Sequence, residues 1–118
     1  MESKRATPRY PCKAPLYIFA QGGALPSASK DISSNGVSLF VDADTLGILK
    51  RQGQYLNVGD AVQLSPTQVA LPSNLIACRV RFLRRLSRDN YLLVVRWADD
   101  AEAADGPVRK MLEEAQRS

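Results

Sequence analysis

The sequence contains no histidine. That absence removes the usual general base near neutral pH and the commonest metal ligand. Cysteine is nearly as scarce, with only Cys12 and Cys78, far apart and too few for a structural zinc site. Both fall at apolar strand positions and read as buried free thiols rather than a disulfide pair. No glycine-rich stretch leads into Lys-Ser or Lys-Thr, so the chain lacks a phosphate loop of the NTPase kind. Catalysis is therefore poorly supported, and neither a metal nor a cofactor is expected. No apolar run approaches the roughly 20 residues needed to span a bilayer. The N-terminus carries Lys4, Arg5 and Arg9 but no apolar segment of signal-peptide type. The expectation is a cytoplasmic protein without membrane insertion.

What the 118 residues do hold is an ordinary globular composition and chain enough for one modest core. The whole chain, 1–118, reads as a single domain. Its net charge of +4 favours an anionic partner. The basic residues concentrate in the N-terminal segment and between Arg79 and Arg88, while Asp99, Asp100, Glu102 and Asp105 gather the acids. A surface for long nucleic acid would be less segregated and would offer more exposed aromatics for stacking, so that partner is not expected.

Residues 1–9 are polar, lack apolar periodicity and read as a flexible arm. From Tyr10 to Ile18 apolar residues alternate, which predicts a half-buried strand whose ladder is interrupted at Pro11 and Pro15. Gln21-Gly22-Gly23 predicts a turn, and a short strand follows over 27–32. Val37, Leu39 and Val41 alternate against Ser38, Phe40 and Asp42, so Ser34-Asn35-Gly36 joins two strands as a hairpin. Asp44 to Gln52 predicts a short helix capped by Asp44 and ended by Gly53. A turn at Asn57-Val58-Gly59-Asp60 leads into a strand from Ala61 to Ser65. The longest strand, Asn74 to Leu86, points Ile76, Cys78, Val80 and Phe82 inward, with a break at Leu83-Arg84-Arg85. Its hairpin partner runs from Tyr91 to Ala98. Tyr91 and Trp97 read as core. Over 107–117, Val108, Met111, Leu112 and Ala115 make one apolar stripe of a helix opened by Pro107. Long helical crossovers are missing. The fold class is therefore mainly β, a small six-stranded antiparallel barrel over 10–98 with a C-terminal helix.

Two polar clusters stand out. Asp31-Ile32-Ser33-Ser34-Asn35-Gly36 offers a carboxylate, a hydroxyl and a glycine at one turn. A carboxylate only accepts hydrogen bonds and matches the adjacent N–H donors of a guanine edge. Glycine permits a sharp turn and close approach of a ligand. These residue types are also the ones that ordinary turns use. Upstream, Arg5-Ala6-Thr7-Pro8-Arg9 offers two guanidinium groups, which pair with phosphate, fork onto guanine or stack on a purine. On an extended arm they stand roughly 13 Å apart, at about 3.3 Å per residue, a reach suited to a compact dinucleotide. A solvated basic tail is the plainer alternative. The arginines between Arg79 and Arg88 read as a solvated strand face or a protein-docking face.

Together, Arg-x-x-x-Arg followed after a strand by Asp-x-Ser-x-x-Gly resembles the PilZ domain family. Arg9-Tyr10-Pro11 before the first strand and Val58-Gly59-Asp60 before a later one extend the resemblance over nearly the whole chain. It implies a six-stranded barrel that binds cyclic di-GMP, a bacterial second messenger. Carried onto this sequence, Arg5 and Arg9 would bind phosphate and guanine, Asp31 and Ser33 would recognise the guanine edge, and Gly36 would supply the turn. Lys4, next to Arg5, is a further candidate contact. Many relatives carry glycine where Val94 stands, which would change the packing beneath the ligand. The resemblance implies a receptor that changes conformation and signals to a downstream protein. The alternative is a ligand-independent protein-interaction domain on the same fold.

Overall fold

Strand β1 (Tyr10–Pro11) and strand β2 (Leu16–Ala20) divide the stretch that alternation presents as one strand. In this computed structural model, which describes residues 8–21, 23–69, 75–99 and 106–117, Pro11 and Pro15 flank the break. Proline has no N–H to give to a ladder. The Ser29 hydroxyl lies within hydrogen-bond reach of two carbonyls in this break, Ala14 (2.6 Å) and Cys12 (3.1 Å), and its one O–H suits the nearer.

Strand β3 (Gly23–Ile32) begins four residues earlier than expected and pairs along the whole of β2. Strand β4 (Gly36–Asp42) follows, then helix α1 (Ala43–Arg51), β5 (Ala61–Ser65), β6 (Ile76–Arg85), β7 (Asn90–Trp97) and helix α2 (Gly106–Arg117). The strands pair antiparallel in the order β1-β3-β2-β5-β6-β7-β4, and β4 returns to β3. Six strands, β2 to β7, thus close into a barrel, and β1 adds to β3 beyond the end of β2. Closure leaves these strands without long unpaired edges.

The barrel interior is filled by the alternating residues. Leu16, Ile18, Ile32, Val37, Leu39, Leu64, Ile76 and Leu93 are all sealed from solvent. Each such side chain contributes on the order of 1.5–3 kcal/mol on transfer from water. Cys12 and Cys78 are buried free thiols.

Two irregularities in the ladders decide which side chains reach the surface. On β3 the register shifts between Ser29 and Asp31, leaving Lys30 as the extra residue. A bulge of this kind reverses the face that later residues present. Ser29 pairs with the buried Leu39, but Asp31 pairs with Ser38, on the outer face, and Ile32 turns into the core. On β6 the shift lies between Val80 and Phe82. The sequence pattern places the break at Leu83-Arg84-Arg85 and Phe82 inside. Instead Arg81 is the extra residue, Phe82 is 39% exposed, and Leu83 takes the inward position against the core. Arg84 lies over the Phe82 ring.

Helix α1 is capped by Asp42, not Asp44: its carboxylate accepts the Thr45 N–H at 2.8 Å. Asp44 sits in the first turn, where its charge complements the helix dipole. At the other end Gly53 has φ +78°. Its N–H reaches the Lys50 carbonyl and that of Gln54 reaches Leu49, a glycine-ended helix stop. Helix α2 buries Val108, Met111, Leu112 and Ala115, the expected stripe. Met111 and Ala115 face the segment from Pro11 to Ala14, so α2 covers the barrel where β1 and β2 separate.

Candidate ligand-binding site

Arg9 is the residue before β1, and two β1 pairings, Tyr10 with Ile32 and Pro11 with Asp31, fix where it emerges. Its side chain then crosses to the outer face of β3 and β4. Arg9 Nε donates to Asp31 Oδ1 at 2.8 Å, and Nη2 donates to Ser38 Oγ at 2.9 Å while also contacting Asp31. Lys30 Nζ approaches Asp31 Oδ2 at 3.2 Å. The Asp31 side chain keeps 19% of its surface, enough to be reached from solvent. Residues 22 positions apart in sequence thereby share one spot.

The electrostatics of Asp31 reflect competing effects. Burial disfavours its charge and pushes the carboxyl upward. Hydrogen bonds from Arg9, Lys30 and Ser38, with the Arg9 charge added, outweigh burial and hold it below its ordinary value of 3.8. The cluster is therefore an ionised acceptor between two cations.

Ser33 lies beside this cluster in sequence but has 0% exposure. Its hydroxyl accepts the N–H groups of Asn35 (3.1 Å) and Gly36 (3.3 Å). Its N–H donates to the Gly36 carbonyl at 2.9 Å. Trp97, buried as expected, fastens the same turn: its indole Nε1 donates to the Ser33 carbonyl at 3.3 Å and its backbone N–H to Asn35 at 3.0 Å. In this arrangement Ser33 shapes the turn rather than facing solvent.

Gly36 does not supply a left-handed turn residue. It opens β4, has no positive φ, and is buried. A methyl group there would collide with the Val95 carbonyl oxygen and lie 2.7 Å from Arg96 Cα. The glycine is needed for the close approach of β7, its neighbour in the barrel.

Ser38 and Lys30 belong to the cluster although residue type alone did not single them out. Ser38 had one readable signal, its outward place in the Val37-Leu39-Val41 alternation. Val94, half-buried, pairs with Ser38 from β7. A row thus runs across the outer face from Asp31 through Ser38 and Val94 to Phe82. Lys4 and Arg5 lie outside the described residues. Tyr91 is half-buried and lines an apolar hollow of about 320 Å³ beside α1, which shares no residue with the cluster. Among the described residues no group of three or more Cys, Asp or Glu could hold a metal ion, and no helix is long and apolar enough to cross a membrane.

The family model described as PilZ domain matches residues 3–114. Among solved structures, the chain is similar to the Bacillus subtilis inhibitor of motility MotI/DgrA, with 13% identity and a TM-score of 0.62, covering 98% of this chain and 51% of that one. It also matches the Borreliella burgdorferi PlzA protein in complex with c-di-GMP, with 13% identity and a TM-score of 0.46, covering 91% of this chain and 47% of that one. The chain thus spans about half the length of either protein. No curated protein matches it.

Proposed function

The chain belongs to the PilZ domain family, and from that membership we propose that it is a receptor and adaptor for cyclic di-GMP. The observation that carries the proposal is the meeting of Arg9 and Asp31 on the outer barrel face. A cyclic dinucleotide of guanosine presents two phosphate anions and the N–H donors of its bases. Arg9 supplies a planar fork for phosphate or for the guanine Hoogsteen edge. Asp31, held ionised, supplies the acceptor that a guanine N–H pair needs.

In this reading the contact between Arg9 and Asp31 stands in for the ligand. Partly exposed ion pairs are worth only about 0–1 kcal/mol, so exchanging this one for ligand contacts costs little. Lys30 is placed to add a second cation from the barrel side. Arg5 and Lys4 would add further positive charge toward the phosphates. Ser33 and Gly36 act by holding the turn and the β4–β7 approach on which Asp31 depends. Ordering of the arginine-bearing segment over the bound ligand would create a composite surface for a downstream protein. Nothing in the mechanism requires catalysis.

The test is titration of cyclic di-GMP into Arg9→Ala and Asp31→Ala variants. Both should lose measurable binding while keeping the far-UV spectrum and a cooperative thermal transition, that of Asp31→Ala displaced to lower temperature. Binding at parental strength by both would remove the site assignment. The exposed arginines of β6 support a second reading, a protein-interaction domain that needs no ligand. That reading is favoured if a partner binds the two variants as well as it binds the parent.

A further inference from the structure

Between Ile76 and Trp97 the chain carries six arginines, Arg79, Arg81, Arg84, Arg85, Arg88 and Arg96, against one acid, Asp89. The ion pairs between described residues lie elsewhere, at Arg9 with Asp31, Lys30 with Asp31 and Arg109 with Glu113. Arg79 donates to the Gly59 carbonyl, and Arg85 to carbonyls of its own turn. These acceptors are neutral carbonyls, so they do not offset the two positive charges. Arg81 and Arg96 are both exposed and line a polar cleft of about 580 Å³ with Ser34, Asn35 and Gly59.

We propose that this cleft and the outer face of β6 beside it form a docking surface for an acidic segment of a protein partner. The proposal deepens the adaptor reading by giving the partner a chemistry, and its test is separate from ligand binding.

Charge complementarity is the first argument. Like charges facing each other across a ladder are unfavourable, and Arg79 pairs directly with Arg96. A carboxylate seated between them and Arg81 would relieve that repulsion and accept paired guanidinium hydrogen bonds. The second argument is shape. Arg79 to Arg84 spans about 17 Å of strand, at about 3.4 Å per residue. A compact anion would use only the cleft, whereas an extended acidic segment presents a carboxylate every second residue at the same spacing. The third is composition. Phe82 stands exposed among these arginines and Val58 beside the cleft, so apolar side chains alternating with the acids would also find contacts. A single-stranded nucleic acid would look for several stacking rings, and Phe82 is the only exposed aromatic on β6.

The bulge at Arg81 makes the surface possible. It turns Phe82 outward and sets Arg81 beside the cleft rather than in the alternation. The surface also adjoins the ligand cluster, because the pairing of Gly36 with Arg96 lies two residues along the ladder from that of Ser38 with Val94, the pair of Val37 with Val95 between them. A bound dinucleotide and a docked partner would therefore be neighbours on one face.

The experiment uses a fluorescein-labelled peptide of alternating glutamate and leucine, read by anisotropy. Its glutamine counterpart, a single-stranded DNA oligonucleotide and phosphatidylglycerol vesicles serve as comparators. The parent chain should prefer the glutamate peptide. R81E/R96E should weaken that binding by about tenfold or more, the scale expected for reversing two pairing charges. The charge-matched variant K110E/R117E on α2 should change it by less than about twofold, since only non-specific attraction is altered. Cyclic di-GMP titrations of the parent and of R81E/R96E should coincide. The proposal is overturned if the parent ignores the peptide or if both charge variants weaken it equally. It is overturned likewise if DNA or vesicles bind more tightly through the same arginines, or if R81E/R96E loses cyclic di-GMP while keeping the peptide.

Discussion

Burial raises the Asp31 carboxyl, but hydrogen bonds from Arg9, Lys30 and Ser38 outweigh it and hold the group below its ordinary value. A carboxylate with a depressed folded-state pKa stabilises the fold above its unfolded value of about 3.8 and loses that contribution as pH falls through the folded value. Asp31→Asn should therefore unfold at lower temperature than the parent near neutral pH. The gap should shrink as the pH drops below about 4; a gap that stays constant through the acid range would show that Asp31 contributes no charge-dependent stability. Gly36 supports a different prediction. Adding a methyl group against the Val95 and Arg96 backbone forces β7 away, so Gly36→Ala should cost about 3 kcal/mol in denaturant unfolding. An unchanged midpoint would show that the strands can part freely. Arg9 and Asp31 were legible in the sequence as cation and acceptor, since residue type states that much. Their mutual contact was not, because it depends on β1 pairing with β3. The role of Gly36 was hidden for a similar reason: no local pattern says which strand will lie against a glycine.

Alternation along β2, β4, β5, β6 and β7 was enough to find these strands, and the apolar spacing in α2 named its four buried residues. The bulge at Lys30 escaped because Ser29-Lys30-Asp31 is a polar stretch, where an extra residue leaves no mark, and the one on β6 was placed too late because Val80-Arg81-Phe82 continues the apolar alternation. Their consequences are large. One aims Asp31 outward, and the other exposes Phe82 and draws Leu83 in. The α1 cap was displaced by two residues because Asp42 and Asp44 are equally good caps by type, and only the end of β4 decides between them. Replacing Asp42 with alanine should cost about 1 kcal/mol, the usual worth of a cap, and leave cyclic di-GMP affinity untouched. An equal loss from Asp44→Ala would contradict the assignment. Ser33→Ala strips the acceptor from two turn N–H groups. It should cost roughly 1–3 kcal/mol, as for unsatisfied buried donors, and weaken ligand binding only through the turn. Conservative rescue by Ser33→Thr would mark the hydroxyl as the working group, whereas unaltered stability in Ser33→Ala would remove the turn-holding role.

Across the whole molecule, barrel closure and site are linked. The ladder from β2 around to β4 returns to β3, and the remaining length of β3 receives β1, which carries Arg9 to Asp31. Helix α2 covers that junction through Met111 and Ala115. The barrel could be anticipated from short strands without helical crossovers, and the candidate site was read from two motifs, of which Arg9 and Asp31 are in contact. Where the surface between them would be polar, apolar or basic was set by register and could not be. The most direct measurement is a calorimetric titration of the parent chain with cyclic di-GMP, with GTP and cyclic di-AMP as controls. Saturable binding of cyclic di-GMP alone is expected, with the stoichiometry separating one ligand from a stacked pair. A well-folded sample that takes up no cyclic di-GMP, or binds all three alike, would contradict it.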